Sequence, residues 1–527
     1  MQNSNEFLIL LRQQIKKLKE DDLFDCAVSH LLIFVGANFA GFERQSDVCK
    51  NLLEGFESRE GLKELSFNEL SFGLNRPFEG ARFIEHLFAA KEAFIHLPTS
   101  SNSSFEHLLW KYRQSVVCKN LLEGFEPIEQ LKEFSFNELS FGLNRPFDGA
   151  RFIEHLFAAK EAFIHLPASS TSSFEHLLWK YRFLNIWSNI LVDKQIDLFK
   201  QMNELSNLLF KISSTATKNL QIEFLLERAL SLLNFFEFSS SKKCLEEAIK
   251  LAGFKQLQLG GALGKRTQFQ EKSVPQLFVE FEITSASSNE LIEEPTEIIQ
   301  NTKNGDDTLL EKILFDEKPK NKIQKINSHQ IACILVSALL ERKGSKFEKE
   351  IEDETCMAFL EEVIDQRPFC ALLERKGNKI EKQIEDETCM AFLEEVIDQR
   401  PFWSLQMRAL IERSKLEAKN SRRIERACSQ MEILANILNE NVKNESIESE
   451  RLNLIFVSSP LPFWKVSKLH AEILLSLGCF SEAIRIFEKL NYWEDVVKCY
   501  LNSGQSEKAE TLIKKLLEEK GENPFYY

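Results

Sequence analysis

The chain has 527 residues, a formal charge of −14 and 43% hydrophobic residues, enough to bury a large core. Its acidic balance argues against a protein that tracks phosphates through a basic face. No apolar run approaches the roughly 20 residues that span a bilayer, and no run of cysteines and histidines has metal-ligand spacing.

Residues 1–47 read as an N-terminal helical segment. Its apolar patch, Phe7 to Leu11, is followed by charge and not by a small-residue cleavage site, which is unlike a secretion signal. The eleven cysteines include no CxxC pair and read as free thiols, with Cys428 and Cys479 on apolar helical faces. A cytosolic or nuclear protein is the expectation.

Two internal duplications dominate the middle of the chain. Residues 48–113 recur at 117–182, with 59 of 66 positions identical, and 338–370 recur at 371–403, with 29 of 33 identical. Structural repeats keep packing positions and let the solvent face drift. These copies agree on both, so they read as recent tandem duplications or as duplicated exons in a gene model, including the pair whose offset of 33 mimics a helical-hairpin period. The expectation is that 117–182 and 371–403 hold the native places, with copy 48–116 and the stretch 338–370 as extra helices.

The pattern is helical almost throughout. At 81–97 the residues Ile84, Leu87, Phe88, Phe94 and Ile95 share a stripe between Pro77 and Pro98. Residues 183–212, 220–252 and 424–438 follow the same rule. The 44 phenylalanines supply bulky core filling and suit a core better than a cofactor box. In "VPQLFVEFEIT" (274–284) β-favouring residues suggest a short strand or an extended piece. The organisation read from this is 117–280 as a helical domain, 281–328 as an acidic flexible linker with one short helix near 307–315, 329–403 as the duplicated segment and 404–527 as helical hairpins.

The last of these carries the clearest spacing. Small residues let paired helices approach, and a glycine lets the chain reverse. Ala471, Leu474, Gly478, Ala483 and Phe487 fit a tetratricopeptide hairpin, and Trp493, Tyr500, Gly504 and Ala509 take the corresponding places in the next. A weaker hairpin lies at 220–252, through Ala229, Leu232, Ser241, Leu245 and Ala248. The ending "NPFYY" looks like the start of another element, so the natural protein is expected to continue past Tyr527.

Four stretches together resemble the N-terminal half of the tetratricopeptide repeat protein 27 family. They are "LGGALGKRTQFQEKSVPQL" (259–277), "PFWSLQMRALIERSKLE" (401–417), "SRRIERACSQMEILA" (421–435) and "LLSLGCFSEAIRIFEKLNYWEDVVKCYLNSGQSEKAETLI" (474–513). The likeness is strong over 220–527 and faint before, and both duplications depart from it. It implies a non-enzymatic scaffold, linked to assembly of a spliceosomal ribonucleoprotein with chaperone machinery and, in a fungal relative, to cell-wall maintenance. Neither function is read from periodicity or composition.

Candidate sites are few. "GGALGKRT" (260–267) fails as a phosphate loop, because Leu259 and Arg266 stand where a glycine and a Ser or Thr are needed. It reads either as a glycine turn between helices or as a partner-facing loop in which Lys265 and Arg266 meet acidic groups and Phe269 anchors. Arg422 and Arg426 share a helical face by i, i+4 spacing, and beside Arg423 they form a fork for a carboxylate or phosphate, or a solvated face. No catalytic set, metal site or cofactor is expected. The fold class is all-α, a tetratricopeptide-like hairpin solenoid, and the partners are other proteins, without nucleic acid or membrane. Two other readings stay open: an enzyme whose site is assembled only in the fold, shown by a cleft of converging titratable groups, and a structural fragment of a truncated gene model.

Overall fold

A computed structural model describes residues 20–42, parts of 151–163, 173–191, 196–284, 295–306, 308–317, 325–342, 386–440, 442 and 444–520. The chain divides into two units. Met1–Arg12, Leu53–Asp148 and Ser188–Lys200 form one, almost wholly outside the described residues; Gln13–Leu52, Gly149–Trp187 and Gln201–Tyr527 form the other, which holds nearly all of the described elements. The helix expected at 81–97 and the copy 48–116 lie outside the described residues, as does 343–385.

The helices are α1 (Glu20–Val35), ending in one π turn, then α2 (Phe174–Ile190) and α3 (Ile196–Ile212). They continue with α4 (Lys218–Asn234), α5 (Phe238–Leu251), α6 over 328–342 and α7 over 386–398. After these come α8 (Trp403–Glu417), α9 (Ile424–Asn439), α10 (Glu445–Leu452), α11 (Phe463–Ser476), α12 (Phe480–Lys489), α13 (Trp493–Asn502) and α14 (Ser506–Lys520). The helical body expected from the periodicity is therefore what the chain forms.

Local chemistry sets several boundaries. Thr217 caps α4 by accepting from the Leu220 N–H at 3.4 Å. Asn327 and Gln330 exchange side-chain-to-backbone hydrogen bonds of 2.8 and 3.0 Å, a reciprocal box that starts α6. The hairpin of α4 and α5 buries Ala229, Leu232, Ser241, Leu245 and Ala248, and the Ser241 hydroxyl donates to the Ala229 carbonyl at 2.7 Å.

A three-stranded antiparallel sheet interrupts the helices, in the order β2–β1–β3, with β1 (Phe254–Thr267), β2 (Val274–Ile283) and β3 (Leu309–Phe315). It corrects two expectations and decides a third. The glycine-rich run 260–267 is a strand and not a turn between helices. The strand suggested at 274–284 is present as β2. The short helix expected near 307–315 is a strand, β3. The glycines of β1 answer to its neighbours: a Cβ at Gly260 would lie 2.7 Å from the Phe278 ring, and one at Gly264 would lie 3.0 Å from Ile313. Phe254, Val279 and Phe281 carry the sheet into the main core beside α4, α5, α6, α7 and α8.

The acidic linker is corrected as well. Its described parts are built into the fold: besides β3, residues 295–302 lie extended across α8, α9 and α10, with Ile299 buried. Residues 338–342, expected at the start of an extra stretch, are the last turns of α6, and Ala338 and Leu339 are in the core. Of the second copies, Leu156, Ala159, Tyr181, Cys389 and Leu393 are buried.

One helix organises the rest. The α8 sequence "WSLQMRALIERSKLE" is buried on nearly every side, so each of its polar residues needs a partner. Ser404 donates to the Asn453 carbonyl at 2.5 Å, Arg408 to the Ser459 carbonyl, and Glu412 pairs with Arg342, Arg408 and Lys415. Glu417 holds Arg426 of α9. The N-terminal segment docks on the same region: Asn38 binds the backbone N–H and carbonyl of Arg151 at 2.8 and 2.7 Å, and the Arg151 guanidinium lies 4.1 Å over the Phe463 ring.

Candidate functional site

Ala471, Ala483, Phe487 and Ala509 are buried where α11 to α14 pack, and Trp493 and Tyr500 lie half-buried against the same cluster. Gly478 and Gly504 adopt φ of +80° and +74°. At each the chain closes the helix in the same way. The Cys479 N–H donates to the Leu474 carbonyl at 2.9 Å and Gly478 to Leu475 at 3.0 Å; Gln505 donates to Tyr500 at 2.8 Å and Gly504 to Leu501 at 3.1 Å. Asn491 does the same work between α12 and α13 at φ +59°, with Tyr492 donating to Phe487 at 2.9 Å, a turn that glycine positions alone do not reveal.

Between α11 and α13 these turns bring together a polar cluster that sequence reasoning did not nominate. The Lys468 ammonium lies 3.1 Å from Asp495 and 4.6 Å over the Tyr492 ring. Burial, with Asp495 and Glu472 adding to it, pushes the Tyr492 hydroxyl up to about 12. Burial also raises the Glu472 carboxyl. Its signal in the sequence is an opposite-charge pair about one hairpin apart.

The β1–β2 hairpin separates the residues nominated together there. Phe269, in the turn, is 78% exposed. Lys265 is half-buried in β1, opposite Leu314. Arg266 turns inward instead: its Nε donates to Gln276 Oε1 and its guanidinium lies 3.5 Å from Glu387 of α7. Leu263 of β1 and Leu314 of β3 are exposed as well.

The arginine fork is corrected. Helix α9 begins at Ile424, with Arg423 as its N-cap, so Arg422 lies in the preceding turn and does not share a helical face with Arg426. Arg426 is buried and committed: its Nε donates to Glu417 Oε2 at 3.0 Å, a second nitrogen binds Glu417 Oε1, and a third is 3.6 Å from Glu311. Arg422 remains exposed.

Arg266 and Arg426 do meet, at one small polar cavity with Asn304, Glu311, Glu394 and Arg423 in its lining. Burial raises the Glu394 carboxyl against the pull of Arg423 and Arg266. The cavity measures about 10 Å³, room for one water. Converging acids and guanidinium groups are what the enzyme reading asked for, but this space admits no substrate. Among the described residues no group of His, Cys, Asp or Glu is placed to hold a metal ion, and no helix is long and apolar enough to cross a membrane.

No protein-family model and no solved structure matches the chain. Curated relatives do. A tetratricopeptide repeat-containing protein of Caenorhabditis elegans is 27% identical over 433 residues, covering 79% of this chain and 51% of the relative. A TPR repeat-containing protein of Schizosaccharomyces pombe is 25% identical over 65% of this chain and 43% of its own length. The tetratricopeptide repeat protein 27 homolog of Dictyostelium discoideum is 23% identical over 57% of this chain and 32% of its own. The chain thus spans about half, or less, of the length of the curated relatives it matches. The resemblance read from the four stretches is to the same kind of protein: the chain is similar to tetratricopeptide repeat proteins, a protein 27 homolog among them.

Proposed function

We propose that this chain, a relative of tetratricopeptide repeat proteins, works as a non-catalytic scaffold that presents stacked helices to other proteins. One observation carries the reading: α11 to α14 are successive hairpins closed by the same left-handed turns, and between α11 and α13 they hold a half-buried charged and aromatic cluster of Lys468, Tyr492 and Asp495. Stacked hairpins of this kind bind segments of other proteins along their faces. The finer role, assembly of a spliceosomal ribonucleoprotein with chaperone machinery in cytosol or nucleus, rests on the family resemblance.

The test is quantitative co-purification from cells with the full chain and with Lys468→Glu/Tyr492→Ala, a double variant in that half-buried cluster whose helical circular dichroism is checked against the native chain. Ribonucleoprotein and chaperone components enriched with the native chain, and reduced at least tenfold with the variant, are the expected result. Equal recovery with both forms would contradict this surface, and enrichment of neither class would contradict the assigned partners.

A further inference from the structure

The segment 295–302 is held in an unusual way. It forms no strand with the described residues; its peptide groups are bound by side chains of α8, α9 and α10. Glu450 Oε1 accepts from the N–H groups of Thr296 and Glu297 at 2.8 and 3.1 Å, and Glu450 Oε2 accepts from the Thr296 hydroxyl. The Gln406 amide takes both polar groups of Ile299, accepting its N–H at 3.0 Å and donating to its carbonyl at 3.3 Å. The Gln430 amide donates to the Gln300 carbonyl at 3.0 Å and accepts the Thr302 N–H at 3.0 Å.

Side-chain contacts add selectivity to these backbone clamps. Arg451 grips the Glu297 carboxylate, with Nε donating to Oε2 at 2.7 Å and a second nitrogen binding Oε1. That guanidinium is itself fixed 4.8 Å over the Trp403 ring and by a 2.9 Å bond to the Ala40 carbonyl. Arg413 donates to Asn301 at 2.6 Å. Ile299 is buried, whereas Ile298 points out and is 52% exposed, the alternation of an extended peptide. Gln406, Gln430 and Arg451 are buried and tied to the segment, so removing it would leave their polar atoms without these partners.

A carboxamide that binds both the N–H and the carbonyl of one residue, as Gln406 does with Ile299, recognises an extended backbone whatever chain it belongs to. We propose that the α8–α10 face is a peptide-binding groove, occupied here in cis by residues 296–302. A partner segment that is extended and carries an acidic residue two places before a buried isoleucine, as Glu297 and Ile299 do, takes the same place. The in-cis segment competes at the effective concentration set by its tether, so it masks the groove from weak partners and yields to strong ones. This deepens the scaffold reading by naming the chemistry of the bound segment. A synthetic peptide tests it independently of cellular partners, so failure there would remove the groove and leave the hairpin surface standing.

The probe is a fluorescein-labelled peptide of residues 294–305, titrated by anisotropy into the full chain. Three forms are compared: native, Glu297→Arg/Ile299→Asp, and the latter with Gln406→Ala/Gln430→Ala. The expected result is at least tenfold tighter binding to the segment variant than to the native chain, and at least a tenfold loss on removing the two amides. Equal binding to all three forms would overturn the proposal. A second measurement keeps native side chains: protease sites inserted within 285–294 and 303–308 free the segment, and labelled peptide is added in excess. Exchange of the nicked segment for the labelled peptide, with helical circular dichroism retained, is expected. A segment that never exchanges, or whose loss unfolds the helices beyond rescue by peptide, is a fixed structural strap, and the proposal fails.

Discussion

Replacing Glu417 by alanine is expected to loosen α9 severely, while replacing it together with Arg426 is not. The Glu417 side chain is 1% exposed and accepts two hydrogen bonds from Arg426, itself buried. Removing one partner of such a pair costs about 3–5 kcal/mol, because a desolvated charge is left alone. Glu311 stands 3.6 Å away but is 47% exposed and screened, so it returns only about 0–1 kcal/mol. The net loss for Glu417→Ala is then about 2–5 kcal/mol, whereas Glu417→Met/Arg426→Met keeps the volume without the charges and costs about 1 kcal/mol or less. A chain of this size does not unfold in two states, so the readout is hydrogen exchange of the α9 amides, each about 1.4 kcal/mol being a tenfold change in the opening constant. Exchange in α9 should speed up roughly 30- to 4,000-fold in the single variant and far less in the double. If Glu417→Ala leaves α9 exchange unchanged, the Glu417–Arg426 pair does not hold α9 in place, and the reasoning is refuted.

Three further outcomes are expected. Phe236 ends α4 at φ +65°, the place glycine takes after α11, and is 53% exposed; Phe236→Gly should raise stability by about 1 kcal/mol, seen as a higher melting temperature. At Gly478 an added Cβ would touch nothing within 4 Å, so the cost of Gly478→Ala is purely that of the left-handed backbone, about 1 kcal/mol, and Gly478→Asn should recover part of it, both read as shifts in melting temperature. His30 and His155 share a 2.7 Å contact, and burial holds them down to about 3 and about 4, with His155 adding to the effect on His30. Their folded pKa values lie below the unfolded 6.5, so both stay neutral in the native chain, and stability is intact above pH 6.5 and falls as the pH drops toward 4. The loss between pH 6.5 and 5 is about 2 kcal/mol per histidine, and a melting temperature that does not fall over that interval would contradict it.

The helical hairpins were legible because their signals are local. Ala471, Gly478, Ala483 and Gly504 are spaced by the helix itself and by turns that need a positive φ. The sheet was half hidden. Leu257, Leu259 and Leu263 alternate as strand residues do, but Gly260, Gly261 and Gly264 read as a turn until Phe278 and Ile313 are seen to fill the space that side chains at Gly260 and Gly264 would need. The order of 295–302 could not be read at all, because it depends on Gln406, Gln430 and Glu450, more than a hundred residues away. Arg422 and Arg426 were misjudged through the helix start: a shift of two residues moved one into a turn and left the other facing Glu417.

If the molecule acts by presenting helices to another protein, hydrogen exchange of the full chain, alone and within a complex isolated from cells, should show where. Protection gained over α11 to α14, together with release of the amides of 296–302 as a partner segment replaces them, is the predicted pattern. A complex that leaves both regions at their free exchange rates would contradict it.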